Sequence, residues 1–265
     1  MIAVHQLTKS YNDRLVLKGA SFDLEPGEIV GLVGPSGGGK SVLLKLMGSI
    51  IEPDSGQVVY DENDTSKETA QKQMHVGFLF QEGALFDSMS VLDNVAFPLR
   101  VVKDITYSKS NECEFEVGVS KEEAYNRAQE ILCQVGLRDA WKKFPGQLSG
   151  GMRRRVGIAR ALVSKPELVL LDDPTGGLDP VAASVIMELI KELHSLYSPT
   201  IVLSSHDIRR LIPAVSRLLS LFDGKLISDL RIENLLSEAP PEVIAFLKTR
   251  YDFDTGSSTN RNPAQ

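Results

Sequence analysis

Cysteine is scarce in this chain: among 265 residues only Cys113 and Cys133 carry a thiol. They lack the paired spacing of a metal site and offer no framework of bridges, which suits a reducing compartment where free thiols persist. Long apolar runs are missing as well. No stretch approaches the roughly 18 to 20 apolar residues that a membrane-spanning helix requires, so any work at a membrane calls for a span supplied by another chain. The N-terminal run M-I-A-V-H-Q-L-T-K-S has no basic start leading into an apolar segment and is not read as a secretory signal. Positive charge is not in excess either. Lys and Arg number 29 against 35 Asp and Glu, a net charge of -6, which argues against nucleic acid as a partner held mainly through phosphate contacts. Sustained heptads are absent. Against these absences, 42% hydrophobic residues are enough for a real core in one large domain or two modest ones.

The rest of the chain is organised around Gly34-Pro35-Ser36-Gly37-Gly38-Gly39-Lys40-Ser41. This stretch fits G-x-x-x-x-G-K-[ST] without gap or substitution. Residues 28–33 read as a short buried strand launched from the turn Pro26-Gly27. After the loop, Val42, Leu43, Leu44, Leu46 and Met47 form an apolar face at helical spacing, and Gly48 weakens the helix near its end. Strand, glycine-rich loop and helix in that order are what a P-loop needs. A Cβ at the glycines would block backbone N–H groups from converging on a β-phosphate, and the helix N-terminus adds its positive end. Lys40 would reach the β- and γ-phosphates, and the Ser41 hydroxyl would ligate Mg²⁺. A P-loop names a nucleotide binder without saying what the energy drives.

Residues 2–7 and 15–24 read as strands of an antiparallel edge sheet, with Tyr11 in a polar turn beside Asn12 and Asp13. An aromatic in a turn is commonly a surface residue, but ahead of a P-loop strand it is a place for a base to stack. A turn at Pro53-Asp54-Ser55-Gly56 precedes a short strand at 57–60, and the polar residues 61–73 read as loop with some helix. Residues 75–80 form a buried strand ending at Gln81, either a solvated loop residue or a polar group delivered to the nucleotide's metal and water. From Ser90 the period becomes helical, with Val91, Leu92, Val95 and Leu99 apolar and Pro98 distorting the end. Residues 103–119 are polar and acidic and read as an exposed insertion of low order. Ser120 and Glu123 form a capping box for a helix to about Val135, with Gly136 as its C-cap.

Leu148-Ser149-Gly150-Gly151-Met152 then runs into a helix as a second anion-binding design; its three arginines, taken individually, read as a solvated face. Residues 168–173 are an apolar strand ending in Asp172 and Asp173, and a buried parallel strand places such carboxylates at the phosphate edge of its sheet. Asp172 would hold Mg²⁺ through its water shell, with Asp173 beside the attacking water. Asp179 caps the next helix with Pro180 in its first turn, and Val185, Leu189, Leu193 and Leu196 supply its apolar face. The strand at 200–204 leads to Ser205-His206-Asp207. A lone histidine is usually structural, but His206 follows a core strand in the register where a γ-phosphate partner is wanted. A hairpin closes around Asp223-Gly224. Residues 241–248 are a short amphipathic helix, and the tail from Asp254 has the composition of a disordered end.

With the P-loop, Gln81, L-S-G-G-M, the acidic strand end, G-G-L-D and His206 in that order, residues 1 to about 230 resemble the ATPase subunit of ABC transporters. The resemblance implies an α/β fold: a P-loop NTPase, RecA-like core with an antiparallel β subdomain and an inserted helical subdomain. One ATP-binding domain would span 1–230, with the helical subdomain at about 90–155 and the insertion at 103–119. A helical extension would follow at 231–253 and a disordered tail at 254–265. ATP and Mg²⁺ are the implied cofactors. Gly34, Pro35, Ser36, Gly37, Gly38, Gly39, Lys40, Ser41 and Val42 would cradle the phosphates, and Tyr11 would stack the adenine. Ser41, Gln81 and Asp172 would serve the metal. Lys40, Gln81, Asp173 and His206 would act in hydrolysis, while Ser149, Gly150 and Gly151 would cover the γ-phosphate held by a second copy. Asp179 looks like the D-loop residue.

A narrower resemblance rests on residues 79–100 (L-F-Q-E-G-A-L-F-D-S-M-S-V-L-D-N-V-A-F-P-L-R) and on Met152 where most families carry Gln. Both are similar to the Mla-type, Mce-associated ATPases that energise phospholipid transport between membranes in double-membraned bacteria and chloroplasts. The implied partners are a second copy of the chain, an integral membrane permease, a substrate-binding Mce-type protein and a small accessory protein, without nucleic acid. The implied location is peripheral, at the cytoplasmic face of the inner membrane. Two departures stand out. Asp173 occupies the position of the family's catalytic Glu, its carboxylate drawn back by roughly 1 Å, and a misplacement of that size can cost about 100-fold in rate. Residues 103–119 are longer than the usual connection. The alternatives are an ATP-gated regulatory module that barely hydrolyses, the ATPase of a small-solute (amino-acid type) importer, and a soluble ABC protein of DNA repair or translation. The apolar face of Val243, Ile244 and Leu247 suggests that the extension packs on the partner protomer.

Overall fold

The structure is a computed structural model that describes residues 1–60, 76–100, 105–107, 113–115, 119–251 and 253. The readings of 61–73, of His75 and of the tail from 254 lie outside the described residues. The chain forms two compact units, Met1–Gln81 with Glu167–Gln265, and Glu82–Pro166.

In the first unit, strand β1 (Ile2–Tyr11) pairs antiparallel with β2 (Arg14–Leu24) and, on its other side, with β4 (Ser55–Tyr60). Tyr11 pairs with Arg14 and is the last residue of β1. It is therefore not in the turn where the sequence reading put it. The turn is Asn12-Asp13 alone, both at positive φ (46 and 60), the conformation a two-residue hairpin selects because its twist matches that of the strands.

The second sheet of this unit runs β11-β10-β3-β9-β8-β5. Its parallel strands are β3 (Ile29–Val33), β5 (Val76–Leu79), β8 (Leu168–Asp172), β9 (Thr200–Ser204) and β10 (Arg217–Phe222), and β11 (Lys225–Arg231) folds back antiparallel. Strands β8 and β9 are buried along their whole length, which is why they read as continuous apolar runs. Helix α1 (Lys40–Met47) sends Leu43, Leu44, Leu46 and Met47 into one core with Leu7, Leu17 and Leu24 of the antiparallel sheet and Leu170, Val202 and Leu219 of the parallel one. The P-loop helix is thus gripped from both sheets. Leu44→Ala at that position removes a side chain with no exposed surface.

Helix α5 (Pro180–Tyr197) departs from its expected face. Val185 is 42% and Leu196 64% exposed, while Ile186, Leu189, Ile190 and Leu193 are buried. The stripe is centred about one residue further on, because Ala183, Ile186, Met187 and Ile190 share the covered side. After two short helices, α6 (Ile208–Leu211) and α7 (Leu235–Glu238), the unit ends in α8 (Pro241–Lys248). Val243 and Leu247 have no exposed surface, and the Phe246 ring meets Phe222 edge-on at 5.3 Å. Of the apolar face that suggested a partner protomer, Val243 and Leu247 are covered within the chain itself, while Ile244 stays half-buried.

The second unit begins with a loop into α2 (Val91–Arg100). Its Ser90 hydroxyl accepts from Asp93 N at 3.1 Å. Buried Asn94 ties the loop down, accepting from Phe86 N (2.8 Å) and donating to Phe86 O, Met89 O and Ser90 O. Two short strands, β6 (Ile105–Tyr107) and β7 (Cys113–Phe115), pair antiparallel inside the segment expected to be of low order; the polar composition of the segment as a whole hid the short alternating runs I-T-Y and C-E-F. Ser120 caps α3 (Lys121–Gln134), accepting from Glu123 N at 3.1 Å, and Gly136 follows at φ 71. In α4 (Gly150–Leu162), Arg153 is exposed, as a solvated face requires, but Arg154 is buried and Arg155 half-buried, so the three arginines do not share one solvated face. Buried Arg160 donates to Gly83 O (2.7 Å) and Ala84 O (2.8 Å), satisfying two loop carbonyls.

Candidate nucleotide-binding site

The carboxyl ends of β3, β8 and β9 meet at one edge of the parallel sheet, where ligands of open α/β sheets bind. The cleft there has a volume of about 380 Å³ and is lined by Val16, Ser36, Gly37, Gly38, Gly39, Lys40, Ser41, Val42, Gln81, Asp172, Asp173, Ser204 and His206. The loop's first glycine has a reason that sequence could not supply. Gly34 sits at φ 150, and a Cβ there would stand 1.9 Å from Leu221 O of the neighbouring β10. Gly39, at φ 99, starts α1 without a side-chain cap, leaving its first amides without a side-chain acceptor.

Buried Lys40 folds back on the loop, its Nζ donating to Gly34 O and Pro35 O at 2.9 Å each. Burial pushes its pKa down, against the pull of Asp172 and Asp173, and the charge of Arg250 adds to the lowering. Opposite it, the Ser204 hydroxyl donates to Asp172 Oδ1 (2.7 Å) and accepts from Asp173 N (3.0 Å). One hydroxyl from β9 thereby orients Asp172, the last residue of β8, and Asp173, which follows it, consistent with the register Asp172↔Ser204. Asp173 takes positive φ (45), a conformation Asp tolerates better than most side chains. His206, following β9, is held below its ordinary pKa of 6.5 by burial first, then by the charge of Lys40, partly offset by Asp173.

Sequence reasoning missed Val16 and Ser204. Val16 shows only as one member of an alternating strand. Ser204 carries a signal, a hydroxyl at the end of an apolar strand, that becomes meaningful once β8 and β9 are neighbours. Tyr11, 45% exposed, and Asp179, whose carboxylate caps α5 by accepting from Val181 N and Ala182 N at 3.0 Å, are not among the residues lining the cleft. Ser149, Gly150 and Gly151 belong to the second unit, where the Ser149 hydroxyl caps α4 by accepting from Met152 N at 3.3 Å.

The donor set near Lys40, a hydroxyl at Ser41, an amide at Gln81 and a carboxylate at Asp172, is all oxygen and fits a hard cation such as Mg²⁺ carrying a polyphosphate. Converging backbone amides, a buried lysine and such a donor set form a polyphosphate site.

The comparisons with known proteins agree. Residues 17–176 match the ABC transporter family. The chain is 35% identical over 269 residues to the intermembrane phospholipid transport system ATP-binding protein MlaF of Haemophilus influenzae, covering all of this chain and 96% of that protein. It is 36% identical to the probable ribonucleotide transport ATP-binding protein mkl of Mycobacterium tuberculosis, over 99% of this chain and 70% of the other. Among solved structures, a dimeric ATP-binding cassette in a post-hydrolysis state, bound to ADP and Pi, matches with a TM-score of 0.72 and 32% identity, over 88% of this chain and 99% of that one. With its P-loop cleft, its sheet order and this likeness together, the chain belongs to the ABC transporter family, as an ATP-hydrolysing subunit.

Proposed function

We propose that two copies of this chain bind two ATP molecules at a shared interface and use their closure and reopening to drive a membrane permease that moves phospholipid between membranes. The observation that carries the site is the single cleft uniting the P-loop with Gln81, Asp172, Asp173 and His206. Each ATP would lie between one P-loop and Ser149, Gly150 and Gly151 of the second copy, with Tyr11 against the adenine and Asp179 at the interface. Lys40 leaves its two carbonyl partners for the β- and γ-phosphates. Ser41, Gln81 and Asp172 would hold Mg²⁺, whose charge would neutralise that of the phosphates. Asp173 and the neutral imidazole of His206 orient the attacking water. Catalysis here is positioning and charge stabilisation.

The cargo reading rests on the whole-length likeness to MlaF and on residues 79–100. In that stretch Asn94 clamps the loop that presents Phe86, 41% exposed and packed at a tilt of 52° against Phe97, with ring centroids 4.8 Å apart, as an aromatic for the permease to meet. A substrate-binding Mce-type protein and a small accessory protein complete the assembly, in which this chain is peripheral at the cytoplasmic face of the inner membrane. No helix among the described residues is long and apolar enough to cross a membrane, so the permease supplies the span.

The test is Mg²⁺-ATP turnover by the complex captured with this subunit, alongside Asp173→Asn, followed by transfer of a labelled phospholipid between vesicles. Turnover that falls by at least about 100-fold in Asp173→Asn, with lipid transfer following it, is the expected result. Turnover absent from both proteins while ATP still binds makes the chain a regulatory module. Turnover coupled to small-solute uptake instead of lipid transfer overturns the cargo.

A further inference from the structure

Asp173 follows β8 and opens a four-residue turn. Its N–H is held by Ser204, through O at 3.2 Å and Oγ at 3.0 Å, and its carbonyl accepts from Gly176 N at 3.1 Å. The backbone of Gly176 is therefore tied to that of Asp173. A Cβ built on Gly176 would stand 2.5 Å from Asp173 Oδ2, 2.9 Å from its Cγ and 3.3 Å from its carbonyl O; the three nearest atoms all belong to Asp173. Gly176 is not among the glycines with positive φ, so its backbone conformation is one that alanine accepts. The turn does not need glycine there. The space does.

We propose that Gly176 is a positioning residue for hydrolysis: its missing side chain is the gap in which the Asp173 carboxylate is held. This rests on the reading of Asp173 as the carboxylate that orients water. An aspartate carries its carboxylate one methylene closer to its own backbone than a glutamate does, and so closer to its own turn. The left-handed φ of Asp173 turns that short side chain toward residue 176. A methyl group at 176 must displace the carboxylate, because an approach of 2.5 Å between a carbon and an oxygen that are not bonded is not sustained. Neither the P-loop nor Asp172 lies among the atoms that the methyl would meet first, so ATP binding is left alone while the water-orienting group moves. The Asp–Gly pair at 173 and 176 acts as one unit.

The experiment is a double-mutant cycle on the full chain with two readouts. The proteins are the wild type, Gly176→Ala, Asp173→Gly and the double variant; Asp173→Gly removes the carboxylate and relieves the positive φ. The first readout is turnover. Gly176→Ala lowers kcat by about 10- to 100-fold while KM and direct ATP affinity stay within about 2-fold, the split expected when only transition-state geometry is disturbed. The second is the thermal midpoint, which needs no activity. Gly176→Ala lowers it when Asp173 is present and leaves it unchanged in the Asp173→Gly background, where no carboxylate is met. Should Gly176→Ala alone fail to fold, folding of the double variant supports the proposal and failure of both overturns it. Unchanged kcat in Gly176→Ala, or an equal loss of midpoint in both backgrounds, also overturns it. Asp173→Asn with full turnover removes the catalytic reading of Asp173 instead, and the midpoint cycle then still decides whether Gly176 holds its carboxylate.

Discussion

Two helices of this chain begin at glycine-rich corners, and they treat their first amides differently. Helix α1 starts from Gly39 in the left-handed region, with no side-chain cap. Helix α4 starts from Ser149 in extended conformation, and the serine hydroxyl accepts from Met152 N. Neither carries an acidic residue in its first turn, so no carboxylate of the helix itself competes with a phosphate. The open amides of α1, beside buried Lys40, have an anion as their natural acceptor. The α4 corner satisfies itself, and its serine must exchange a partner before it serves a ligand. In the proposed sandwich one corner is ready for ATP in a single chain, whereas the other would act only when a second copy brings it to the phosphate.

Lys40→Ala breaks the first corner and has the largest expected effect. It lowers ATP affinity and turnover together, turnover by at least about 100-fold, read by nucleotide titration of the single protomer and by phosphate release. Ser149→Ala tests the second corner. It leaves ATP affinity of the single protomer unchanged, slows turnover of the assembled complex, and costs about 1 kcal/mol of stability from the lost cap, measured by urea denaturation. Equal weakening of single-protomer affinity by the two variants would erase the distinction between the corners.

The smallest effect is a pH dependence confined to the α1 corner. His206 is held below its ordinary 6.5 by burial and then by Lys40. On acidification the unfolded chain takes up that proton first, so stability is lost as pH falls through 6.5 toward the lower folded value. His206→Gln should lose less stability than the wild type between about pH 7 and about pH 5.5, read as the urea midpoint at each pH. An equal loss in both proteins would place the titrating group elsewhere.

The elements around the cleft were legible because they are long, regular and chemically marked. Strands β8 and β9 run apolar from end to end, α1 follows a glycine-rich loop, and Ser120, Ser149 and Asp179 announce the starts of their helices. The readings that needed revision are those that depend on what lies across from a residue. Tyr11 belongs to β1 because Arg14 is opposite it. Arg154 is buried despite its charge. The α5 stripe is set by the surface that α5 covers, and Val243 and Leu247 of α8 are covered by its own chain. The β6–β7 pair escaped notice because its runs, I-T-Y and C-E-F, are three residues long and lie in an otherwise polar stretch.

By itself the sequence determined the chemistry: a P-loop, a strand ending in Asp172 and Asp173, a histidine after another strand, and a short carboxylate where a longer one is usual. Periodicity and spacing carry that information along the chain, where neighbours are known. The tertiary structure alone decided why Gly34 must be glycine, which hydroxyl orients the two aspartates, and that Gly176 leaves room for one of them. Those are contacts between residues distant in sequence or folded onto one turn. Only packing, by setting distances of a few ångströms between atoms, determines which side chain is needed and which must be missing.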